Sequence, residues 1–251
     1  MISLQDLREY LDALYPLEGY TDFGPSGLQL EGKGKIGKIA TGVSASIDVI
    51  DAARDFGADA LIVHHGLFSN KRETRIVGSM HRKLKALIDA EISLFGYHLP
   101  MDAHPEIGNN WRAAHDLGIQ ELEPFGKLFG VDFGVKGRIA PTGIEDWVAK
   151  LEKYYGHKAH AALGGPQEVK RVALLSGGGT SFFGEAIEAG VDCFVTGSFD
   201  EPQWHMAHEE GIHYVALGHH ATERVGPRAL ADALAKRFSV ETRFMDSENP
   251  F

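Results

Sequence analysis

Three groups of side chains in this sequence have the types and spacing to hold metal ions: the adjacent pair His64-His65, His98 with Asp102, and His219 with Glu223. Imidazole and carboxylate donors without thiolate suit Zn, Mn, Fe, Co or Ni. A four-residue spacing sets both members of His98/Asp102, and of His219/Glu223, on one face of a helical turn. Neighbouring residues of a strand point to opposite faces, so His64 and His65 are expected on the loop beyond a strand, where both rings can turn to one side. Together these donors exceed what one tetrahedral catalytic ion uses. Two ions about 3.5–4 Å apart, sharing a bridging carboxylate, would use them well. Any one of these pairs alone is more often decoration of a surface or core than a ligand set. Their weight comes from the elements that must position them.

Those elements alternate. The opening residues carry apolar Ile2, Leu4, Leu7, Leu11 and Leu14 at mostly three- and four-residue spacing, which predicts an amphipathic helix capped by Ser3. A turn-rich stretch around Gly24-Pro25-Ser26-Gly27 follows. Ile36–Val43 then reads as a strand, and Ile47–Phe56 as a helix with Ser46 before it and Gly57 to close it. Ala60–Val63 is a short apolar strand that stops at His64-His65-Gly66, Met80–Ala90 is a helix, and Ile92–Tyr97 is a strand ending at His98. Such alternation predicts a mainly parallel sheet with covering helices, whose ligands lie beyond the carboxyl ends of the strands.

The second half repeats this plan. Val169–Leu175 is a strand, Phe182–Glu188 a helix closed by Gly190, and Val191–Val195 a strand. Gly57-Ala-Asp-Ala-Leu-Ile-Val matches Gly190-Val-Asp-Cys-Phe-Val-Thr, and Ile92–His98-x3-Asp102 matches His213–His219-x3-Glu223. The fold class is therefore read as α/β, two similar α/β lobes with a dinuclear metal site in the cleft between them. Phe125–Val135 suggests a strand or hairpin and Glu145–Tyr155 a helix, with the join near Gly126–Gly130. The first lobe is expected over residues 1–126, with the His-His and His-x3-Asp ligands. The second is expected over 127–251, with a Gly-rich loop and the His-x3-Glu ligands.

That loop, Ser176-Gly177-Gly178-Gly179-Thr180-Ser181, follows a strand and precedes a helix, so its amides, at Gly178 and Thr180 in particular, could cradle a phosphate. It is neither G-x-G-x-x-G nor a Walker A loop, and a tight turn needing positive φ is the plainer reading. Arg224 could pair with a substrate phosphate or with a neighbouring carboxylate. Of the other histidines, His81, His115, His157, His160 and His208 read as solvated, and His104 as a turn residue near the cleft.

Composition sets the outer limits. The chain has 251 residues, 13 of them His and one Cys, with 25 Lys+Arg against 35 Asp+Glu, a formal charge of −10. That argues against bulk electrostatic binding of nucleic acid, and Lys33, Lys35 and Lys38 read as a solvated face. The lone Cys193, in an apolar run, reads as a buried structural thiol. No apolar run approaches the roughly 20 residues that span a bilayer, and the start lacks signal-peptide pattern, so a cytoplasmic, membrane-free protein is expected.

The segments GADALIVHHG, FGYHLPMDAHPEIGNN and LGHHATERVG, with PSGLQLEG near the start and SGGGTSFF later, resemble the signatures of the Nif-three-like dinuclear metal-centre family. Its bacterial members are often labelled GTP cyclohydrolase I type 2 homologues. The resemblance implies two divalent ions per subunit between two α/β lobes, with His65 and Asp102 on one ion, His64 and His219 on the other, and Glu223 bridging. It implies that His98 supports a ligand, carries a proton as the catalytic residue, or ligates. It also implies a homo-oligomer in the form of a hexameric toroid, and His205 lining the cleft. Many relatives carry an acidic residue where this chain has Ser198. Two functions follow as expectations: a metal-dependent hydrolase acting on a nucleotide or phosphorylated small molecule, or a non-catalytic metal-binding regulator, carrier or scaffold.

Overall fold

The computed structural model describes residues 1–16, 21–69 and 75–251. They form two compact units, Met1–Met101 with Gly226–Glu248, and Asp102–Val225 with Asn249–Phe251. Among the described residues no helix is long and apolar enough to cross a membrane.

The first unit begins with β1 (Ile2–Ser3) and α1 (Leu4–Leu14). A reciprocal cap starts the helix: Ser3 Oγ accepts the Asp6 N–H at 3.0 Å and the Asp6 carboxylate accepts the Ser3 N–H at 3.1 Å. Leu4, Leu7 and Leu11, one stripe at helical spacing, are buried. Then come β2 (Gly27–Leu30), β3 (Lys35–Ile36), β4 (Lys38–Ser44), α2 (Ile47–Phe56), β5 (Ala60–His65), α3 (Gly78–Asp89), β6 (Ser93–Gly96) and α4 (Leu99–Ala103). Strands β4, β5 and β6 run parallel, with β2 antiparallel beyond β6. Their near-continuous apolar sequences are those of strands covered on both faces. Ala40, Leu61, Val63 and Leu94 face α2 and α3 in one core cluster. Gly57 closes α2 at φ 75°, the left-handed conformation a glycine adopts without steric cost.

The expected strand over Ala60–Val63 runs two residues further, so His64 and His65 lie in β5 and not on a loop beyond it. The neighbouring backbone explains the extension. Ser44 pairs with His65, the Ala45 N–H donates to the His65 carbonyl at 2.9 Å, and the Tyr97 N–H donates to the Val63 carbonyl at 3.0 Å.

The second unit contains α5 (Asn109–Asp116), β7 (Gln120–Leu128), β8 (Val131–Gly143), α6 (Ile144–Tyr155), β9 (His160–Leu163), β10 (Glu168–Leu175), a 3₁₀ turn (Gly179–Phe182), α7 (Phe183–Glu188), β11 (Cys193–Thr196), α8 (Glu201–Glu210), β12 (His213–Ala216) and α9 (His219–Thr222). Its sheet has the order β7-β8-β10-β11-β12-β9, with β10, β11 and β12 parallel. Trp147 and Leu151 of α6 fill one face, and Phe183, Phe194 and Tyr214 pack together on the other. Cys193 is fully buried on the Trp147 face, and burial pushes its thiol pKa up to about 12. The join expected near Gly126–Gly130 falls within the β7–β8 hairpin, whose turn has Phe129 and Gly130 at φ 51° and 87°. These strands are bonded into the second unit's sheet through β8 and β10, so no boundary can pass between them.

Helix α10 (Val225–Phe238) and β13 (Glu241–Met245) complete the first unit, with β13 parallel to β4. Thr41 Oγ1 in β4 donates to the Pro227 carbonyl at 2.8 Å, and Tyr10 meets Phe238 edge-on at 5.1 Å, so α1 and α10 cover the face opposite α2 and α3.

The internal repeat appears in matching hydrogen bonds. In the first unit Asp59 Oδ2 accepts the amides of Gly37 and Lys38 at 2.8 and 3.1 Å, and the Asp59 carbonyl accepts the Ser93 N–H at 3.0 Å. In the second, Asp192 Oδ2 accepts the amides of Lys170 and Arg171 at 2.9 and 2.8 Å, and the Asp192 carbonyl accepts the His213 N–H at 3.0 Å. Each aspartate ties the start of its strand to the strand beside it.

Candidate metal centre

In the first unit, His64 and His65 end β5, and His98 follows β6. Their ring centroids are 4.6, 4.7 and 5.3 Å apart, and one donor nitrogen from each lies within 4.8 Å of the others. The Nδ1 atoms are held from outside. His64, fully buried, donates Nδ1–H to the Tyr97 carbonyl at 3.3 Å. His65 Nδ1 meets Ser44 Oγ at 2.9 Å, and His98 Nδ1 meets Asp22 Oδ1 at 2.7 Å. A carbonyl or carboxylate on Nδ1 fixes the tautomer and leaves Nε2 as the nitrogen with the lone pair, which is how proteins present imidazole to a metal.

Asp22 was invisible to spacing arguments. Burial pushes its carboxyl pKa up, but His98 and the amides of Phe23 and Leu99 outweigh that and hold it below the usual carboxylate range. It therefore faces His98 as an anion. Gln29 is a second silent partner. Its Oε1 accepts the Leu67 N–H at 2.9 Å and its Nε2 donates to the Pro25 carbonyl at 2.7 Å. A Cβ on Gly66 or Gly96 would strike the Gln29 amide, so a side chain at either position would displace that amide from its bonds. The three histidines, Gln29, Phe23 and Phe68 line a cavity of about 180 Å³.

In the second unit, His219 opens α9 and Glu223 follows its last turn. His219 Nε2 lies 3.1 Å from Glu223 Oε1, and its Nδ1 lies 3.3 Å from Ser198 Oγ. The helical spacing thus does what the sequence predicted, with His219 on a helix and not on the strand end. Glu223 is buried at 3% exposure and Asp102 at 7%. Asp102 Oδ1 accepts from Asn109 Nδ2 at 2.8 Å and from Ser176 Oγ at 3.2 Å, while Asn110 Oδ1 accepts the Ser176 N–H at 2.7 Å. Gly177, at φ 68°, presses against the other carboxylate: a Cβ there would collide with Glu223 Oε1 and lie 3.2 Å from His219 Nε2. The Ser176-Gly177 turn therefore touches both acidic groups. The donor set is three imidazoles in the first unit and an imidazole with two buried carboxylates in the second, the latter beside bare backbone at Gly177, and these donor types fit a hard-to-borderline divalent ion.

In the Gly-rich loop part of the backbone is bonded within the unit. The Gly177 N–H donates to Thr222 Oγ1 at 2.9 Å and the Gly179 N–H to Thr196 Oγ1 at 3.2 Å, so these amides are used within the fold. Gly178 leads into the 3₁₀ turn, and the Thr180 carbonyl accepts from Gln203 Nε2 at 3.4 Å. Arg224 Nη2 donates to the Tyr155 carbonyl, which anchors the end of α6. His205 is exposed on α8, with Nε2 3.4 Å from Glu201. His157, expected to be solvated, is bonded at both nitrogens, to the Lys158 and Pro250 carbonyls. His104 Nδ1 accepts the amides of Glu106 and Ile107 at 3.1 and 3.3 Å, a turn-forming role, and burial lowers its pKa.

Fold and site together define an α/β protein of two repeat-related units carrying imidazole and carboxylate donors suited to divalent metals. The chain belongs to the DUF34/NIF3 (NGG1p interacting factor 3) family, whose model matches residues 2–250. Relatives named GTP cyclohydrolase 1 type 2 homolog include one from Chlamydia pneumoniae, 42% identical over 252 positions and the full length of both chains. One from Escherichia coli K12 is 42% identical over 98% of each chain. Among solved structures, protein ybgI, described as of unknown function, matches at a TM-score of 0.93 with 38% identity over all of both chains. A protein from Thermus thermophilus matches at 0.91 with 34% identity, again over all of both.

Proposed function

We propose that the protein binds two divalent metal ions through His64, His65 and His98 of the first unit and Asp102, His219 and Glu223 of the second, and that it is a metal-dependent hydrolase of a nucleotide or other phosphorylated small molecule. The observation that carries the metal reading is the triad of His64, His65 and His98, whose donor nitrogens gather within 4.8 Å while their Nδ1 atoms are tied to Tyr97, Ser44 and Asp22. Three imidazoles brought this close would repel one another if protonated, so the cluster suits neutral rings sharing an electrophile. His98, expected as the catalytic residue, is grouped with the donors.

Bound ions would supply Lewis acidity and an activated water at neutral pH. The chain's own residues do the rest. Asp22, Ser44 and Ser198 orient the imidazoles, and Asn109 and Ser176 fix Asp102. The name of the relatives supports a nucleotide as substrate. The resemblance to the family supports a hexamer, which native mass spectrometry would test.

The test is elemental analysis after loading with Zn, Mn, Fe, Co or Ni, paired with a turnover screen of nucleotides, phosphoesters and amides. About two ions per chain are expected, with Glu223→Ala releasing both and His65→Ala weakening one. Full metal content in both variants refutes the ligand set. Stoichiometric metal with no turnover refutes the hydrolase and leaves a regulator or carrier.

A further inference from the structure

The second unit holds a larger cavity, about 600 Å³, in the size range of small-molecule sites. His219 and Ser198 lie at it, and Phe199, Asp200, Trp204 and Phe251 also line it. None of its lining residues is Lys or Arg. We propose that this cavity binds a planar heteroaromatic ring carrying N–H donors, stacked on Trp204 and Phe251 and hydrogen-bonded to Asp200, with the ring's substituent toward His219. The proposal gives the hydrolase reading a substrate class and rests on that reading only for what His219 holds.

Four observations carry it. Trp204 is 49% exposed and Phe251 74% exposed, and large aromatics left in water around one cavity mark a binding surface. The segment bearing Phe251 is fixed, since its carbonyl accepts the His220 N–H at 2.6 Å and the Pro250 carbonyl accepts from His157 Nε2 at 2.8 Å. Phe199 is fixed as well, edge-on to Tyr214 at 5.2 Å. Finally, Asp200 stands at the N-cap of α8, where an aspartate normally accepts a helix amide, yet it makes no side-chain cap bond. Its carboxylate is exposed at the cavity. That carboxylate is therefore not spent on its own helix and faces the cavity's ligand space.

The charge balance selects among ligands. A phosphate at this wall would meet the Asp200 carboxylate and no Lys or Arg, and of the imidazoles there His157 has both nitrogens engaged by carbonyls and His219 faces Glu223 and Ser198, leaving His160. An amino-substituted ring would instead give Asp200 two parallel N–H donors and give the aromatics a π-face, and stacking of this kind accepts any base.

Equilibrium binding of guanosine, with purine riboside as the same ring system lacking base N–H donors and inorganic phosphate as the ring-free control, tests the assignment by calorimetry on metal-free and metal-loaded protein. Saturable guanosine binding is expected in both forms. Purine riboside should bind about tenfold or more weaker. Asp200→Asn should remove that difference, and Trp204→Leu should weaken both ligands by at least about fivefold. Both side chains are exposed, so neither variant threatens the fold, and circular dichroism checks this. No guanosine binding at millimolar concentration overturns the site. Equal affinity for guanosine and purine riboside, or phosphate competing as well as guanosine, overturns the donor assignment. Ring binding by a protein that takes up no metal sinks the metal reading alone; stoichiometric metal without ring binding sinks this proposal alone.

Discussion

Asp22→Asn isolates the role of an outer partner without changing side-chain shape. Three donors converge on this carboxylate: the Phe23 N–H and His98 Nδ1 on Oδ1 at 2.6 and 2.7 Å, and the Leu99 N–H on Oδ2 at 3.1 Å. An asparagine can keep its oxygen toward His98 and Phe23 only by turning its NH₂ toward the Leu99 N–H, a donor facing a donor. Leaving that buried amide unmatched costs about 1–3 kcal/mol of stability, read as a lower denaturant midpoint at unchanged slope. The loss of the anion also removes what polarises His98 toward a metal. Outer partners of this kind are worth about 10–100-fold in metal affinity, or about 1.4–2.7 kcal/mol. The assay is zinc competition against a chromophoric chelator for wild type, Asp22→Asn, His98→Ala and the double variant. If Asp22 acts through His98, the double variant should bind about as His98→Ala does. Unchanged affinity in Asp22→Asn, or additive losses in the double variant, would refute the reasoning.

Three further outcomes are expected. Gly177→Ala places a Cβ on Glu223 Oε1 at a backbone φ of 68°, so both the collision and the conformation oppose it; it should cost more than about 1 kcal/mol and lower metal content, whereas Gly184→Ala, with open space around its Cα, should do neither. Asp192 is held below the usual carboxylate range: burial pushes its pKa up, and the amides of Arg171 and Lys170 with the Arg171 guanidinium more than reverse this. A depressed carboxyl contributes stability that is present above its unfolded pKa of about 3.9 and is lost as pH falls through the folded value, so the gap between wild type and Asp192→Asn in urea melts should be widest near neutrality and shrink below about pH 4; a gap constant down to about pH 2 would count against it. Cys193, with its thiol pushed up to about 12, should resist iodoacetamide at about pH 8 in the native protein and react only after unfolding, so rapid native labelling would contradict the burial.

Much of this architecture was legible because it is local or periodic. The leucine stripe of α1, its Ser3 cap, the left-handed Gly57 and Gly190 and the parallel apolar strands each rest on residues within one turn or one strand of each other. The repeat was legible for a stronger reason. Asp59 and Asp192 occur at the same offset from those glycines because each does the same job, bonding the start of the neighbouring strand. What escaped was long-range. Asp22 is 76 residues from the histidine it holds, in a turn-rich stretch with no period to mark it. Asn109 and Asn110 stand in the PEIGNN segment, but nothing in their spacing says that one fixes Asp102 and the other Ser176. The loop assignment of His64 and His65 failed because the apolar pattern stops where the hydrogen-bonded pairing continues. Ser44 and Tyr97, on flanking segments, carry the strand past its last aliphatic residue.

The same repeat shows how two equivalent strand ends came to do different work. Aligning Gly57 with Gly190 sets His64 against Gly197 and His65 against Ser198, while His98 and Asp102 match His219 and Glu223. The first unit keeps two imidazoles at the end of its middle strand, and they complete a three-histidine cluster with His98. The second replaces them with a glycine and a serine. There the backbone of Gly197 approaches so closely that a Cβ would lie 2.7 Å from the Gly177 carbonyl, the His219 Cα and the Thr222 hydroxyl. No histidine could occupy that place. The room lost to donors draws the Gly-rich turn against Glu223 and leaves Ser198 to hold His219 from behind. The donors of the second unit therefore come from a helix and a buried carboxylate, those of the first from strand-end imidazoles.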